Sequence, residues 1–154
     1  MIKFINISSD KPYEEFHEIY HEALDNNQNL IHAVNISSFD VDTNEVESRM
    51  VNLKYINNNE WTFFSNYKSP KASHFAKHDQ ISAIFYWDSI DAQIRIKAKI
   101  KKSQSAFSDM HFKSRPDEKN ALSISSMQSK KINSYEDIEK NYKKVLKDKK
   151  LLNH

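Results

Sequence analysis

The sequence contains no glycine and no cysteine. Without cysteine the chain can form no disulfide, no zinc–thiolate site and no thiol nucleophile. Without glycine it lacks the glycine-rich loops that bind phosphate in Rossmann and P-loop folds. A bound phosphate must therefore be held by side chains and helix N-termini, and backbone positions with positive φ must fall mainly to Asn or Asp. The segments DTN (42–44) and NNN (57–59) have this composition and are predicted turns.

Long apolar runs are also missing from the 154 residues. No stretch approaches the length of a membrane-spanning helix, and the segment MIKFINISSD (1–10) lacks the apolar region of a signal peptide. We therefore expect a cytoplasmic protein without a membrane partner. The net charge of +2 is too small to predict a nucleic-acid partner. The length favours one domain over residues 1–154, and 9 Phe, 7 Tyr and 2 Trp can fill a sizeable core.

The spacing of apolar residues predicts a helix near each end of the chain. The first helix follows a cap at Asp10 and has Pro12 in its first turn, and the last follows Ser134, with Asp137 placed for a capping box. The apolar stripes are Phe16, Ile19, Tyr20, Ala23 and Leu24 in the first helix, and Tyr135, Ile138, Tyr142, Val145 and Leu146 in the last.

Several strands are predicted between these helices. They are 30–36, 48–56, 61–64, 81–87 and 92–101. The last strand, AQIRIKAKIK, alternates strictly, which indicates one face in the core and one polar face. A short helix is expected after Ser69 and Pro70, with Phe75 and Ala76 facing inward. About five antiparallel strands with peripheral helices predict a mainly β fold, most simply a small barrel.

The segment HEIYH (17–21) matches the H-E-x-x-H pattern of zinc peptidases. Histidines at positions i and i+4 of a helix point the same way and can bind one metal ion, with Glu18 as a general base. The conceivable third ligands are His32, Glu45 and Glu47, but no flanking signature marks one of them. We therefore predict no metal site, and interpret His17 and His21 as a partly solvated pair beside the apolar stripe.

Four segments together resemble the pyridoxamine 5′-phosphate oxidase family of FMN-binding split barrels. The first two are SRMVNLK (48–54) and FFSNYKSPK (63–71), which are similar to that family's Arg-x-Val-x-Leu-Lys strand and its Asn-Tyr-x-Ser-Arg-Lys segment. The others are FYWDSIDAQIRIKAKI (85–100), and HFKSRP (111–116) followed by MQS (127–129). Their order and spacing agree with the family from about residue 12 to about residue 148.

The resemblance implies a role for each matching position. Arg49 and Lys71 would neutralise the FMN phosphate, Ser65 would bond in the same site, and Gln93 would contact the isoalloxazine. Lys54 and Arg115 would bind the phosphate of a vitamin B6 substrate, and His111 falls at a substrate-binding position. The implied FMN-binding positions are Arg49, Met50, Val51, Lys54, Phe64, Ser65, Lys71, Gln93, Gln128 and Ser129. The last two would reach FMN held mainly by the other subunit, because the family's sites lie at a homodimer interface.

Each of these residues could also be an ordinary surface residue. Their joint placement in the family pattern favours the binding roles instead. Exposed Lys and Arg are common, so Arg49 and Lys54 alone would be read as solvated strand ends. The residues by themselves agree with the resemblance in one respect. A dianionic phosphate needs basic side chains that converge near a helix N-terminus, and Lys71 at the start of a predicted helix beside Arg49 meets that need.

The sequence departs from the family pattern at three places. The Arg that precedes the phosphate-binding Lys in the family is Pro70 here, which removes a charge-assisted bond worth about 1.5–3 kcal/mol. The substrate-binding Tyr is replaced by His111, and a downstream Ser of that site falls at Lys119. The chain ends at His154, before the family's closing segment with its Arg-x-His pair. A site without that segment would position a B6 phosphate less well.

The resemblance implies an FMN-dependent oxidase that converts pyridoxamine or pyridoxine 5′-phosphate with O2. No catalytic residue is assigned, since the flavin supplies the redox chemistry and the protein binds and orients. Two alternatives remain open at this point. One is a non-catalytic relative that holds FMN or pyridoxal phosphate, and the other is a flavin reductase with a different substrate.

Overall fold

The structure is a computed structural model that describes residues 1–126 and 134–148. It divides into two compact units. The first unit comprises residues 1–65 and 71–101, and the second comprises residues 66–70 and the described residues from 102 onward. One domain over residues 1–154 stays a prediction. No helix in the described part of the chain is long and apolar enough to cross a membrane.

Six strands and five α-helices are found among the described residues. In chain order they are β1 (Lys3–Asn6), α1 (Lys11–Asp25), β2 (Ala33–Asp40), β3 (Glu45–Asn57), β4 (Glu60–Phe63), α2 (Pro70–Lys77), β5 (Gln80–Trp87), β6 (Ala92–Lys99), α3 (Ser105–Lys113), α4 (Asp117–Ser125) and α5 (Tyr135–Lys147). The predicted strands and helices are confirmed within a few residues at their ends. β1 was not predicted, because four residues are too few for a period-2 pattern.

The strands form one mixed sheet in the order β1-β3-β2-β5-β6, with β4 also paired to β3. The β1–β3 pair is parallel and the other pairs are antiparallel. No strand pairing within residues 1–126 and 134–148 joins β6 back to β1 or β4, so the sheet is not closed. β5 lies between β2 and β6, as its apolar composition predicts.

The core of the first unit lies between α1 and the inner face of the sheet. Phe16 of α1 contacts the rings of Phe85 and Trp87 of β5 at centroid distances of 5.7 and 5.5 Å. The Trp87 indole N–H donates to the carbonyl of Ile31 at 3.2 Å, so its polar atom is satisfied inside the core. Burial alternates along β5, and the predicted alternation along β6 is confirmed. Aromatic packing of this density fixes α1 on the sheet.

The second unit has a small core of its own. Ala121 of α4 and Val145 of α5 are buried, with Tyr142 and Leu146 packed against them. The predicted cap at Ser134 is confirmed, because the backbone N–H of Asp137 donates to the Ser134 hydroxyl at 3.1 Å, which is one of the two bonds of a capping box.

Two predicted inward positions are wrong. Ala76 is exposed, and the buried residues of α2 are the polar Lys71 and His74. Tyr135 is 77% exposed, because it is the first residue of α5 and lies about two helical turns before Tyr142, which packs against the small core of this unit. Both helices form where the apolar spacing predicts them. In α2 a different face of the helix is buried, and in α5 only the later part of the stripe is buried.

The backbone positions with positive φ are filled as a chain without glycine requires. Among the described residues four of the five such positions are Asn or Asp, namely Asn27, Asn44, Asn58 and Asp91. These side chains tolerate the left-handed region better than other non-glycine residues. The fifth is Leu30, with φ of 48° and a side chain that is 73% exposed, so it occupies a strained conformation without burying apolar surface in return.

We expect Leu30→Asn to stabilise the first unit. The left-handed conformation costs an ordinary L-residue about 1–2 kcal/mol, of which Asn recovers a part, so a gain of about 0.5–1 kcal/mol is expected. Urea unfolding of the variant and the wild type measures this difference. Leu122→Asn, on the exposed face of α4, is the control and should give no gain; equal gains from both would show that polarity rather than backbone strain is responsible.

Candidate functional site

Arg49 lies on β3 directly opposite Ile36 of β2, so its side chain starts from the inner face of the sheet. The side chain is only 17% exposed. One guanidinium nitrogen, Nη1, donates to the Ser38 hydroxyl at 2.6 Å, and the other, Nη2, lies 3.0 Å from Glu47 Oε2. Two polar partners on two strands therefore fix the plane of this guanidinium.

His74 continues this network from α2 and is 5% exposed. Its Nδ1 lies 3.4 Å from the Ser38 hydroxyl, and its Nε2 lies 3.3 Å from Asp40 Oδ2. With the hydrogen on Nε2, the bonds run in one direction: Arg49 donates to Ser38, Ser38 to His74, and His74 to Asp40. This chain of hydrogen bonds ends on the Asp40 carboxylate. Because a carboxylate only accepts, it sets the direction of the bonds made by His74, Ser38 and Arg49.

The order Ser38–His74–Asp40 is that of a nucleophilic triad, but the environment does not suit nucleophilic catalysis. Ser38 is 2% exposed, and its oxygen already accepts a short bond from Arg49. A nucleophilic serine must reach a substrate. These three residues therefore position Arg49 rather than attack a substrate.

Asp40 is held in its ionised form. The backbone N–H of Asp42 donates to Asp40 Oδ1 at 3.0 Å, and this bond is the main cause that lowers the pKa of the Asp40 carboxyl; the nearby His74 lowers it further. A second carboxylate, Glu47, lies 4.0 Å from His74 Nδ1 but is half exposed. His74 thus lies between a fixed carboxylate and a more mobile one.

Lys71 lies one helical turn before His74 and is only 9% exposed. Burial is the main cause that lowers the pKa of its ammonium group, and the nearby positive charge of Arg49 lowers it further. Within residues 1–126 and 134–148 no acidic side chain pairs with Lys71. Two cations thus lie close together, and among the described residues Glu47 is the one acidic side chain in an ion pair with either of them. The cluster can therefore accept an added anion such as a phosphate.

Two of the implied FMN-binding residues lie on the opposite, outer face of the sheet. Met50 is 61% exposed and follows Arg49 in β3, and Gln93 is exposed on β6. Because neighbouring strands lie about 4.8 Å apart, β3 and β6 are separated by about 14 Å along the sheet. One chain does not bring Arg49 and Gln93 together. Arg95 and Lys97 extend the outer face beyond Gln93 and line a cavity of about 370 Å³.

The remaining implied residues of the first unit lie along β3 and just after β4. Val51 is half-buried against the core, and Lys54 is half-buried farther along the same strand. Phe64 packs edge to face on Tyr55 with ring centroids 6.1 Å apart, and Ser65 follows it, half-buried. These four residues thus lie on β3 or close to it in the chain, and β3 is the strand that carries Arg49.

Two of the three implied substrate residues, His111 and Arg115, belong to the second unit. Arg115 lies at the start of the α3–α4 turn, and burial lowers the pKa of its guanidinium. Its Nη2 donates to the carbonyl of Lys119 and to the Ser123 hydroxyl, both at 3.0 Å. His111 is half-buried on α3. Gln128 and Ser129 lie outside the described residues.

Sequence reasoning missed four members of the cluster around Arg49. They are Ser38, Asp40, Glu47 and His74. The alternation of β2, with Val34 and Ile36 buried, continues to Ser38 and Asp40, but the predicted strand ended at residue 36. Extending the alternation two steps would have placed both polar side chains on the inner face. His74 could have been found from its three-residue spacing to Lys71 on the predicted helix.

The HEIYH segment lies on α1, as predicted, and its two imidazoles touch. His17 Nε2 and His21 Nε2 are 3.1 Å apart. Burial, and secondly the neighbouring His21, lower the pKa of His17. No three His, Asp or Glu side chains in the described ranges are grouped so as to hold a metal ion, so His32, Glu45 and Glu47 supply no third ligand there.

Comparisons with known proteins agree in sequence and in fold. The chain is 32% identical over 124 residues to pyridoxine/pyridoxamine 5′-phosphate oxidase of Neisseria meningitidis, 32% over 125 residues to that of Legionella pneumophila and 33% over 129 residues to that of Cytophaga hutchinsonii. These matches cover 80, 81 and 83% of this chain, and 59, 58 and 59% of the relatives. The chain thus spans about three-fifths of their length. It matches no protein-family model.

Two solved structures share the fold. PhzG from Burkholderia lata, solved in complex with tetrahydrophenazine-1-carboxylic acid, has a TM-score of 0.83 over 88% of this chain and 66% of its own, at 18% identity. A pyridoxamine 5′-phosphate oxidase-related, FMN-binding protein from Nostoc punctiforme has a TM-score of 0.64 over 80% of this chain and 70% of its own, at 13% identity. The predicted split-barrel fold is therefore confirmed. The resemblance to the pyridoxamine 5′-phosphate oxidase family is thus confirmed, in sequence over about three-fifths of the relatives' length and in fold by the two solved structures.

Proposed function

We propose that the protein is an FMN-dependent oxidoreductase that oxidises a small phosphorylated amine or alcohol with O2. One observation carries the proposal: Lys71 is buried next to Arg49 without an acidic partner in the described part of the chain. A buried, unpaired cation is costly, and a bound phosphate would compensate for it. The curated relatives, named pyridoxine/pyridoxamine 5′-phosphate oxidase, support pyridoxamine or pyridoxine 5′-phosphate as the substrate.

The residues of the cluster have separable roles in this proposal. Lys71 and Arg49 would hold the FMN phosphate, and the bonds from Ser38 through His74 to Asp40 keep Arg49 oriented. When bound, FMN supplies the redox chemistry. The protein therefore needs to bind and orient, and preorganised donors do so at the least entropic cost.

The outer face of the sheet supports a homodimer with the cofactor at its interface. Met50 and Tyr86 are each 61% exposed on this face, and Tyr86 of β5 lies directly opposite Gln93 of β6. Exposed apolar side chains on a flat sheet are typical of an interaction surface. A second copy packed there would place its Gln93, which faces away from Arg49 of its own chain, next to another subunit. For the substrate phosphate, the resemblance and the half-buried guanidinium of Arg115 favour the second unit, which also carries His111.

A non-catalytic FMN-binding protein is the second candidate, and Pro70 favours it. The resemblance places an Arg at this position, but here Pro70 begins α2 and has neither a charge nor an N–H to donate. The phosphate would then be held by one cation fewer, with weaker binding and looser positioning. Both candidates require FMN, and they differ only in turnover.

The visible absorption spectrum tests the proposal. The protein is mixed with FMN and passed through a gel-filtration column, and we expect a flavin band to elute with a dimer. Oxygen consumption is then measured with pyridoxamine 5′-phosphate, with pyridoxine 5′-phosphate, and with the tetrahydrophenazine-1-carboxylic acid that PhzG contains. Retained flavin with turnover of a phosphorylated substrate supports the oxidase. Retained flavin without turnover favours the non-catalytic binder, and no retained flavin contradicts both.

Glu47→Gln should tighten FMN binding. In the structure the Glu47 carboxylate accepts from Arg49, so it competes with the phosphate for the same guanidinium. Because an ion pair with one exposed partner contributes about 0.2–1 kcal/mol, the dissociation constant should fall by up to about fivefold. Quenching of flavin fluorescence on titration measures it.

Glu45→Gln is the matched control for this variant. It removes the same charge from the same strand two residues away, where no ion pair is formed with a described residue. Equal tightening in both variants would mean that the net charge of the surface acts on FMN, rather than the contact between Glu47 and Arg49.

A further inference from the structure

The histidine pair of α1 forms a compact cluster that the proposed oxidoreductase does not use. His17 and His21 are one helical turn apart, and their Nε2 atoms are 3.1 Å from each other. His21 is exposed and His17 is half-buried. The present contact is a hydrogen bond, in which one Nε2 donates and the other accepts.

This separation matches the distance between two nitrogen ligands that are bound to the same metal ion. With metal–nitrogen bonds of about 2.0–2.1 Å, two ligand nitrogens are about 2.9 Å apart at a right angle and about 3.3–3.4 Å apart at the tetrahedral angle. The observed 3.1 Å lies between these values. An ion could therefore replace the shared hydrogen without moving the helix, if the donating ring carries its hydrogen on Nδ1 instead.

Aromatic packing holds both imidazoles in this arrangement. The Phe4 ring of β1 meets His17 edge-on at a centroid distance of 4.7 Å and stacks against His21 at 6.3 Å. Tyr20 meets His21 edge-on at 5.6 Å. The rings are thus oriented before any ion binds, which lowers the entropic cost of chelation. A surface pair without such neighbours would have to give up rotamer freedom first.

Contrary to the prediction from the sequence, we infer that His17 and His21 form a two-histidine site for a late first-row divalent metal ion, with water completing its coordination. Neutral imidazole suits Zn²⁺, Cu²⁺ and Ni²⁺. A third protein ligand is missing among the described residues, so the site differs from the three-ligand zinc centre of a peptidase. Because α1 carries Phe16, Tyr20 and Ala23 into the core, an ion that bridges one turn of this helix stabilises the first unit.

Zinc chloride titrated into the full chain without a histidine tag tests the inference. We expect one Zn²⁺ per chain by calorimetry and a rise in the melting temperature on addition of zinc. His21→Ala should weaken the binding at this site by at least about tenfold, because the chelate is reduced to a single imidazole. The side chain is exposed, so the variant keeps the core intact, and circular dichroism checks the fold.

A shifted pair is the matched control. The double variant His21→Ala, Glu22→His keeps the number of histidines but moves the second imidazole about 100° around the helix. It should bind zinc as weakly as His21→Ala. If it binds like the wild type, or if the wild type binds no zinc at millimolar concentration, the inference is wrong. These measurements need no FMN, so they are independent of the proposed function.

Discussion

Lys71→Met should weaken FMN binding by about tenfold to a hundredfold, because a charge-assisted bond to a phosphate contributes about 1.5–3 kcal/mol. The same variant should stabilise the cofactor-free protein. Lys71 is 9% exposed, and burial and Arg49 lower the pKa of its ammonium group. Its charge is therefore unfavourable in the folded state until an anion binds. Met fills nearly the same volume without the charge.

The size of the stability gain depends on pH. A Lys whose folded pKa lies below its ordinary value of 10.5 binds fewer protons in the folded than in the unfolded state between those two values. The penalty is therefore complete at neutral pH and is relieved as pH rises through that window. Lys71→Met should gain roughly 1 kcal/mol at pH 7, or about 2–4 °C in melting temperature, and little above pH 11.

Lys77→Met is the control for both measurements. It removes the same charge from the same helix, but Lys77 is exposed and forms an ion pair with Asp42. FMN titration and thermal melts of the two variants at pH 7 separate the site from the overall charge. If Lys71→Met lost FMN and stability together, Lys71 would be a structural residue of α2, and the phosphate assignment would be wrong.

The fold could be predicted because the residues that build it repeat a pattern. β6 alternates over eight residues and α1 keeps a helical stripe from Phe16 to Tyr20 and Ala23, so the period alone indicates the buried face. β1 offers no such repeat, and its pairing with β3 is set by a contact more than 50 residues away in the chain. Short strands of this kind are fixed by tertiary pairing rather than by local sequence.

The candidate site could be predicted only in part, since the resemblance indicates positions and not partners. It placed Arg49 and Lys71 together, and the low pKa of Lys71 agrees with that. It could not indicate that the Glu47 carboxylate accepts a hydrogen bond from Arg49. Nor could it indicate that Ser38 and His74 are buried in the same network of hydrogen bonds. These contacts join β2, β3 and α2, so they depend on register across the sheet, which apolar spacing does not specify.

Trp87→Ala should destabilise the protein more than any other substitution considered for this chain. Trp87 is 1% exposed and packs on Phe16, Tyr20 and Phe85. Removing a buried aromatic of this size costs about 3–5 kcal/mol through lost burial and the cavity left behind. That is a large part of the 5–15 kcal/mol that typically holds a domain folded, so the variant should unfold at a much lower urea concentration.

Two further variants separate the causes of this loss. Trp87→Phe keeps an aromatic ring but leaves the carbonyl of Ile31 without its indole donor, so it should lose less, about 1–3 kcal/mol. Tyr135→Ala removes an aromatic that apolar spacing also predicted to be buried, but that is 77% exposed, and should change stability by less than about 0.5 kcal/mol. If Tyr135→Ala cost as much as Trp87→Ala, burial in the second unit would differ from the structure. If Trp87→Ala were mild, the aromatic cluster on β5 would not be the core that fixes α1 on the sheet.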